Sequence, residues 1–551
     1  MFDNQDSGNT KKKSGVKQSV SAASGTERRQ RQLRFIRSKA HDEVLKHIRQ
    51  DEEEISERAQ PSSLHVDPNN LSIWSFDEKT APVNVPIAVL PHCVSAIMEN
   101  AARDNVFQGV LLIRKLLAVQ TKAPVQEVID TGVVPALIQL LQHVNDPKLQ
   151  FEAAWALTNI AGGSSQHTRT LIDAGVVMPL VQLLSSPDDS CQDQAAWALG
   201  NIAGDSAYTR DAVLYAGGLQ ALLETINREV PTPTPLFVVR ECTWAISNLS
   251  RTKPAPALET VEMALPTLTS LLYSEDNDIM LDACWAISYI SDGPPERAEA
   301  VIATGIIPRI VELLSHQTNI KMPALRTVGN CTAGTESQTQ TVINAGALVP
   351  MCNLLSETGR AIRKETCWAV SNIVAGTIEQ ANAVVQSNIF YPIVNSCLQC
   401  PELDVRKEAT WCVSNLCNFR EPNHFMYLLN LGVIPPLCKS LHLGDAKILQ
   451  IVLEALDVFL QFGKAMAESG QGENEVLKAV VDNDGLNALE YLQNHANEHI
   501  YQLALEILEN NFPQDDDMGH VVTQGAEPAG FIDFEGGGNG GDNGGANFQF
   551  Y

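Results

Sequence analysis

Residues 149–163 read LQFEAAWALTNIAGG, and variants of this string recur along most of the 551 residues of the chain. Six of the seven tryptophans lie on the resulting lattice: Trp155, Trp197, Trp244, Trp285, Trp368 and Trp411. Their spacing is 41 to 47 residues, except for one interval of 83 residues in which Arg326 takes the tryptophan position. A period of about 42 residues is typical of an all-helical solenoid, in which small helical units stack along one axis.

An asparagine stands four residues after most of the lattice positions. These residues are Asn159, Asn201, Asn248, Asn330, Asn372 and Asn415. A spacing of four puts each pair on one face of a helix, and stacked units would turn that face into a long ladder. The pattern therefore predicts an extended ligand. The alternative is that each tryptophan only fills the core between units, but asparagine has poor helix propensity and adds nothing to an apolar core.

Composition divides the chain into five segments. We expect disorder in residues 1–27 and 513–551, a basic helix over 28–52, a linker over 53–85 and the repeats over 86–512. In most repeats, a glycine turn and a proline precede an apolar stretch, a polar loop and the helix that carries the tryptophan. The ladder positions in the terminal units carry other residues, as the capping units of a solenoid require.

The net charge of −26 conceals a basic head. Residues 1–50 carry 12 Lys and Arg against 5 Asp and Glu, whereas the remainder carries 27 against 60. An acidic body repels nucleic-acid backbones and attracts basic ligands. No apolar run reaches the roughly 20 residues of a membrane span, and the start of the chain lacks the apolar core of a signal peptide. We therefore expect no direct nucleic-acid binding, no membrane insertion, and a place in the cytosol or nucleus.

Twelve cysteines suit a reducing compartment. Four stand within two residues of a lattice tryptophan and are predicted to be buried packing residues: Cys242, Cys284, Cys367 and Cys412. Cys397 and Cys400 form one isolated C-x-x-C, without the second pair that a tetrahedral zinc site needs. The string His495-Ala-Asn-Glu498-His499 matches an inverted zinc-protease motif, but it falls where other units have a polar loop. We expect no metal, no cofactor and no catalytic residue.

The paired ladder residues suit a basic peptide. A row of amides offers donors and acceptors to the backbone of an extended peptide. Indole faces attract cations by about 0.5–2 kcal/mol and accommodate the methylene stems of Lys and Arg. Nearby carboxylates are candidates to bind the charged heads, although any single one is more often a solvated surface acid. The candidates are Asp205, Asp278, Asp282, Glu336, Glu365 and Glu408.

Two residues interrupt the ladder. Tyr289 replaces the asparagine after Trp285, and Arg326 replaces the next tryptophan. A cation at a ladder position would repel a Lys or Arg of the ligand. The pattern therefore predicts two separate sites for basic peptides, one on either side of the interruption.

These repeats resemble armadillo repeats, and the W-A-x-x-N strings with a basic N-terminal segment are similar to the importin-α family of nuclear import adaptors. The similarity covers about residues 28–512, and Tyr289, Arg326 and Arg251 also match the family pattern. It implies an all-α, right-handed superhelical solenoid of about ten armadillo repeats. It also implies that the ladder binds nuclear localisation signals of cargo proteins and that the chain is not an enzyme.

The resemblance, together with the nearby acids, assigns residues to two sites. The major site would contain Trp155, Asn159, Gly163, Thr168, Trp197, Asn201, Asp205, Trp244, Asn248, Asp278, Asp282 and Trp285. The minor site would contain Asn330, Glu336, Glu365, Trp368, Asn372, Glu408, Trp411 and Asn415. By position, Gly163, Thr168 and Asp205 match residues that hold the principal lysine of a signal in the family.

The resemblance also implies partners. The basic helix would bind importin-β through Arg28, Arg29, Arg31, Arg34, Arg37, Lys39, Lys46 and Arg49. Similar proteins are returned by an exportin that binds the C-terminal repeats, and nucleoporins are a further expected partner. The chain would then shuttle between cytoplasm and nucleus.

The basic head departs from the family pattern. There, a Lys-Arg-Arg cluster late in the segment occupies the ladder when no cargo is bound. Here the corresponding residues are Lys46-His47-Ile48-Arg49, so two adjacent basic side chains and their charge-assisted contacts are missing. We predict weak self-inhibition, unless residues 11–13, all lysine, supply a substitute cluster.

Two other functions remain open at this stage. An armadillo scaffold for adhesion or signalling, resembling β-catenin, would be expected to have a basic groove for acidic partners and no basic head, which is the reverse of this chain. A zinc hydrolase would depend on His495 and His499.

Overall fold

The computed structural model describes residues 85–99, 101–118, 123–229, 232–470 and 473–512. The predicted basic helix, both segments predicted to be disordered, and the linker up to residue 84 lie outside the described residues. Within the described residues the chain consists of α-helices joined by short turns and loops. None of the described helices is long and apolar enough to cross a membrane.

The helices form ten successive units. The first unit has α1 (Leu90–Met98) and α2 (Arg103–Leu117) after a 3₁₀ turn at Ile87–Val89. Each later unit has three helices, which we call first, second and third in chain order. Units two to five contain α3 (Val125–Asp130), α4 (Val134–Leu140), α5 (Pro147–Ala161), α6 (Ser165–Asp173), α7 (Val177–Leu183), α8 (Asp189–Asp205), α9 (Ala207–Tyr215), α10 (Gly218–Ile226), α11 (Leu236–Arg251), α12 (Leu258–Val261), α13 (Leu265–Leu271) and α14 (Asn277–Ile290).

The remaining five units follow the same order. They contain α15 (Pro295–Ala303), α16 (Ile307–Leu313), α17 (Lys321–Thr332), α18 (Glu336–Asn344), α19 (Leu348–Leu354), α20 (Arg360–Val374), α21 (Ile378–Gln386), α22 (Phe390–Pro392), α23 (Leu403–Cys417), α24 (Pro422–Asn430), α25 (Ile434–Ser440), α26 (Ala446–Glu468), α27 (Glu475–Asp482), α28 (Gly485–Leu492) and α29 (Glu498–Asn511). A 3₁₀ turn, Glu262–Ala264, extends α12, and a π-helical segment, Ile393–Cys397, extends α22.

The turns follow from local sequence. Gly132, just after α3, has a φ of 75°, in the left-handed region that glycine enters without a steric penalty. Pro135 stands in the first turn of α4, where its missing N–H has no partner to lose. Asp146 caps the start of α5, because its side chain accepts the N–H of Leu149 at 3.3 Å. The predicted order of glycine turn, proline, polar loop and tryptophan helix is confirmed in this unit.

The sequence pattern does not predict the first helices. They are short and often polar, as in α6 with the sequence SQHTRTLID, so no apolar period marks them. Capping boxes define several of their starts instead, for example Ser164 with His167 and Thr335 with Gln338.

The third helices form a continuous row. α5 packs against α2 and α8, and the same neighbour contacts continue through α11 to α29. Leu157, Leu199 and Ile246 are fully buried in the core. The four cysteines predicted to pack there are also fully buried: Cys242, Cys284, Cys367 and Cys412. One apolar cluster runs from Val89 to Leu508, so the predicted all-helical solenoid of about ten units is confirmed.

The zinc-like string does not form a shared helical face. His495 lies in the loop before α29, where its Nδ1 accepts the N–H of Asn497 at 3.0 Å. Glu498 and His499 begin α29 itself. Within the described ranges, no group of three or more His, Cys, Asp and Glu residues could hold a metal ion. The geometry therefore offers no support for a zinc hydrolase.

Candidate functional site

The ladder positions lie in one row on seven successive third helices, from α5 to α23. Trp368 is 7% exposed, whereas the other five lattice indoles are half-buried. The side chains of Asn248, Asn372 and Asn415 are buried one turn after their ladder positions. The structure thus brings the predicted tryptophans and asparagines together along one side of the solenoid.

The asparagines bind the preceding unit. The Nδ2 atoms of Asn201, Asn248 and Asn415 donate to the backbone oxygens of Thr158, Gly200 and Ser371, at 3.3, 3.0 and 2.9 Å. Each acceptor is the residue just before the ladder asparagine of the preceding unit. This bond fixes the amide against its neighbour, and the amide keeps a second N–H and an oxygen that the bond does not use.

Asn372 is the exception. Its Nδ2 is buried and has no hydrogen-bond partner among the described residues. The equivalent acceptor, the oxygen of Gly329, already accepts the hydroxyl of Thr332 and the N–H of Ala333, both at 3.0 Å. A buried N–H without a partner costs about 1–3 kcal/mol. A peptide carbonyl from a ligand would remove that cost.

Two glycines determine how deeply two indoles sit. A Cβ added at Gly200 would lie 2.5 Å from Cζ3 of Trp244, and a Cβ at Gly329 would meet Trp368 in the same way. Each indole therefore lies directly on the backbone of the preceding helix. Sequence reasoning missed these glycines, although their position just before a ladder asparagine is a readable signal.

The three residues assigned to the principal lysine converge where α5, α6 and α8 meet. The buried Thr168 donates its hydroxyl hydrogen to the oxygens of Ala161 and Ser164, at 3.3 and 3.4 Å. Gly163 leaves room for the imidazole of His167, whose Nδ1 would be 2.5 Å from a Cβ at this position. Asp205 ends α8, the third helix of the unit that begins with α6, one turn after Asn201.

The other candidate acids differ in exposure. Asp278 and Glu336 are exposed, Glu408 is half-buried and Asp282 is buried. Glu365 is buried and already paired within the chain. Its Oε1 lies 3.6 Å from Nη1 of Arg326 and 3.3 Å from Nζ of Lys364, so internal cations partly neutralise it.

The predicted interruption has a definite geometry. The ring of Tyr289 stacks on Trp285 with 5.5 Å between centroids and an interplanar angle of 20°. Arg326, on the next third helix, is half-buried and paired with Glu365 as described. An aromatic stack and an internal cation therefore separate the two halves of the ladder.

Sequence reasoning missed Arg114 on α2. Its guanidinium lies 4.2 Å from the ring centroid of Trp155. The same group donates to both oxygens of Glu152, at 2.8 and 3.2 Å, and both side chains are buried. An internal cation therefore covers one face of the first indole in the ladder. The sequence signal for this contact is an arginine in the unit before the first lattice tryptophan. Its ion-pair partner, Glu152, is 38 residues away.

Asp193 is a second residue that sequence reasoning missed. The candidate acids that precede a lattice tryptophan stand three or seven positions before it, whereas Asp193 stands four positions before Trp197. It is half-buried on α8. Burial, and then the negative charge of Glu241 on α11, raise the pKa of the Asp193 carboxyl well above its usual range. The carboxyl groups of Asp193 on α8 and Glu241 on α11 are therefore close enough for their charges to interact.

This raised pKa predicts a pH-dependent stability. The unfolded chain releases the Asp193 proton near its ordinary value of about 4, and the folded chain releases it at higher pH. The free energy of unfolding should therefore fall as pH rises from about 4 towards the raised pKa. We expect Asp193→Asn to remove that fall, as measured by urea unfolding between pH 4 and 8. Asp173→Asn, at an exposed position of α6, is the matched control, and equal pH dependence in both variants would contradict the assignment.

Family comparisons agree with the repeat architecture. The model of the armadillo/β-catenin-like repeat matches residues 121–162, 164–204, 253–292, 335–375 and 377–418. The family model of an atypical armadillo repeat matches residues 474–528. The crystal structure of an engineered protein aligns with a TM-score of 0.68 at 25% identity, covering 76% of this chain and 98% of that one.

Similar proteins are importin subunits. Importin subunit alpha-4 of Arabidopsis thaliana is 39% identical over 444 residues, which cover 80% of this chain and 81% of that protein. Importin subunit alpha-1a of Oryza sativa subsp. japonica is 38% identical over 463 residues, covering 83% and 86%. These relatives do not favour an adhesion scaffold or a hydrolase. The chain belongs to the importin subunit alpha family, the armadillo-repeat adaptors of nuclear import, which are not enzymes.

Proposed function

We propose that the ladder binds the Lys/Arg-rich nuclear localisation signals of cargo proteins in an extended conformation. The first site lies on α5 to α14 and the second on α17 to α23. The observation that carries the proposal is the repeated pair of an indole and an amide held by the preceding helix. The unpaired Nδ2 of Asn372 adds a donor in the second site.

The spacing of the row suits an extended chain. Neighbouring helices pack about 8–10 Å apart, and an extended peptide rises about 3.3 Å per residue. Successive slots between indoles therefore match every second or third residue of a peptide. The methylene stems would lie in these slots, and the ammonium groups would reach carboxylates such as Asp205.

A ligand with two basic clusters would occupy both sites. Trp244 and Trp368 are three units apart, which corresponds to about 25–30 Å at the usual helix spacing. A linker of about 8–10 extended residues spans that distance. Tyr289 and Arg326 lie between the sites, where the linker needs no basic side chain.

A direct titration tests the proposal. We expect the full chain to bind a peptide with five consecutive lysines at least about 100-fold more tightly than a peptide with five glutamates, because like charges repel at an acidic site. Fluorescence anisotropy of labelled peptides measures both affinities. Added salt should weaken the first interaction, since exposed charges are screened. No binding of the lysine peptide, or equal binding of both peptides, would contradict the proposal.

The proposal extends to the transport cycle. The basic segment over residues 28–52 would recruit importin-β, with arginines 28, 29, 31, 34 and 37 as its densest cluster. An exportin would take the C-terminal units, and nucleoporins would provide further contacts. The chain would accordingly shuttle between cytoplasm and nucleus. Family membership supports this scheme, and the residues of the basic segment lie outside the described structure.

Removal of the basic head should change peptide affinity little. Because His47 and Ile48 interrupt the basic cluster, a chain without residues 1–69 should bind the lysine peptide within about threefold of the full chain, or less than about 1 kcal/mol. The matched control is His47→Arg with Ile48→Arg in the full chain, which places four adjacent basic residues at positions 46–49 and should weaken binding. A tenfold or larger gain on removing the head would show that self-inhibition is strong after all.

A further inference from the structure

We propose that Ser165 is a positioning residue of the first site, which orients the carboxylate of Asp205 towards a lysine of the ligand. This inference rests on the proposed function and adds a residue that neither the ladder nor its flanking acids include. Ser165 begins α6, and its Oγ donates to Oδ1 of Asp205 at 2.7 Å. The two residues are 40 positions apart, at the start of the first helix and at the end of the third helix of the same unit.

The position of Asp205 at the end of a helix makes such a donor favourable. Asp205 is the last residue of α8, and the negative end of a helix dipole disfavours a carboxylate there. The first turn of α6, where Ser165 lies, presents the positive end of another helix. Arg251 adds a cation nearby, since its Nη2 donates to the oxygen of Gly204 at 3.2 Å. Within this setting the short bond to Ser165 favours one orientation of the carboxylate.

The second site has the complementary arrangement. Glu336 begins α18 immediately after the capping Thr335, just as Ser165 begins α6 after the capping Ser164. The position that corresponds to Asp205, four residues after Asn372, is Gly376. Each site therefore has one carboxylate at this junction, supplied by the end of the third helix in the first site and by the start of the first helix in the second. Ser165 occupies the place where the second site carries its acid.

The orientation of Asp205 affects affinity for a cation. Without Ser165, the carboxylate loses the bond that holds its Oδ1, and ligand binding must meet the cost of restoring the productive rotamer. We expect Ser165→Ala to weaken binding of the five-lysine peptide by about three- to tenfold, because hydrogen bonds to charged groups contribute more than neutral ones. Ser165→Thr keeps the hydroxyl and should restore most of the affinity.

A double-mutant cycle in the full chain separates this role from a structural one. Affinities are measured for the parent, Ser165→Ala, Asp205→Ala and the double variant. If Ser165 acts through Asp205, the double variant binds no more weakly than Asp205→Ala alone. The loss caused by changing peptide lysines to glutamine should also shrink in Ser165→Ala. Additive losses, or an unchanged affinity of Ser165→Ala, would overturn the inference.

Two further variants complete the test. Ser337→Ala, at an exposed position in the first turn of α18, should leave binding of a single-cluster peptide to the first site unchanged. Ser165→Glu with Asp205→Gly copies the second-site arrangement and should keep the affinity within about tenfold of the parent. A loss as large as that of Asp205→Ala would contradict the equivalence of the two junctions. If the parent binds no lysine peptide, the proposed function fails; if it binds and the cycle is additive, only the role of Ser165 fails.

Discussion

Trp197→Ala should weaken binding of a lysine-rich peptide by about 30- to 700-fold, which corresponds to about 2–4 kcal/mol. Trp197 is an inner indole of the first site, with Trp155 and Trp244 on the neighbouring third helices. It is half-buried, so its loss removes a wall from two adjacent slots. Tryptophans in such positions carry a large share of binding energy because they bury much area with few rotatable bonds.

The corresponding asparagine should have a smaller effect. Asn201→Ala removes the bond to the oxygen of Thr158 and the remaining amide groups, for which we expect a loss of about tenfold. Tyr215→Ala is the control, because this aromatic ring is 95% exposed and lies away from the ladder. Peptide anisotropy gives the affinities, and thermal unfolding checks that each variant folds. Undiminished binding by Trp197→Ala would exclude the ladder as the peptide site.

Arg114→Ala is expected to lower the free energy of unfolding by about 3–5 kcal/mol. Arg114 and Glu152 form a buried pair with two hydrogen bonds, so removal of the arginine leaves a buried carboxylate without its cation. The variant also loses the contact of the guanidinium with Trp155. Since each unit is stabilised by its neighbours, the loss should appear first in the units at the N-terminal end of the solenoid.

An exposed pair on the same helix provides the control. Arg103 pairs with Asp146 at 2.7 Å, but its side chain is 53% exposed, so Arg103→Ala should cost less than about 1 kcal/mol. Arg114→Met with Glu152→Leu should recover most of the lost stability, because apolar residues of similar volume can replace a buried ion pair. Urea unfolding followed by circular dichroism measures all three variants. Equal losses for Arg103→Ala and Arg114→Ala would refute the importance of burial.

Local spacing predicted much of the fold. The 42-residue lattice, the glycine turns and the prolines are properties of short stretches, and α3 to α5 follow them closely. The first helix of each unit was not predicted, because these helices are short and their starts are marked by capping residues and not by an apolar period. The cysteines near the tryptophans were correctly predicted as core, since residues next to a ladder position point into the packed row.

The candidate site was predictable only in part. Trp155, Asn159 and their equivalents could be assigned because residues four apart share a helical face. The assignment of Glu365 to a ligand becomes less direct, because Arg326 and Lys364 already lie beside it. Spacing along one helix contains no information on which cation a neighbouring unit supplies.

The sequence by itself determined the repeat unit, the row of indoles and amides, and the acidic character of the surface around them. Only the tertiary structure decided which partner each side chain has: a backbone oxygen for Asn248, the Trp155 ring for Arg114, and the Ser165 hydroxyl for Asp205. These contacts join residues about 40 positions apart, one period of the solenoid. Their distances depend on the rotation and translation between successive units, which are set by the packing of whole helices and not by the order of residues within one.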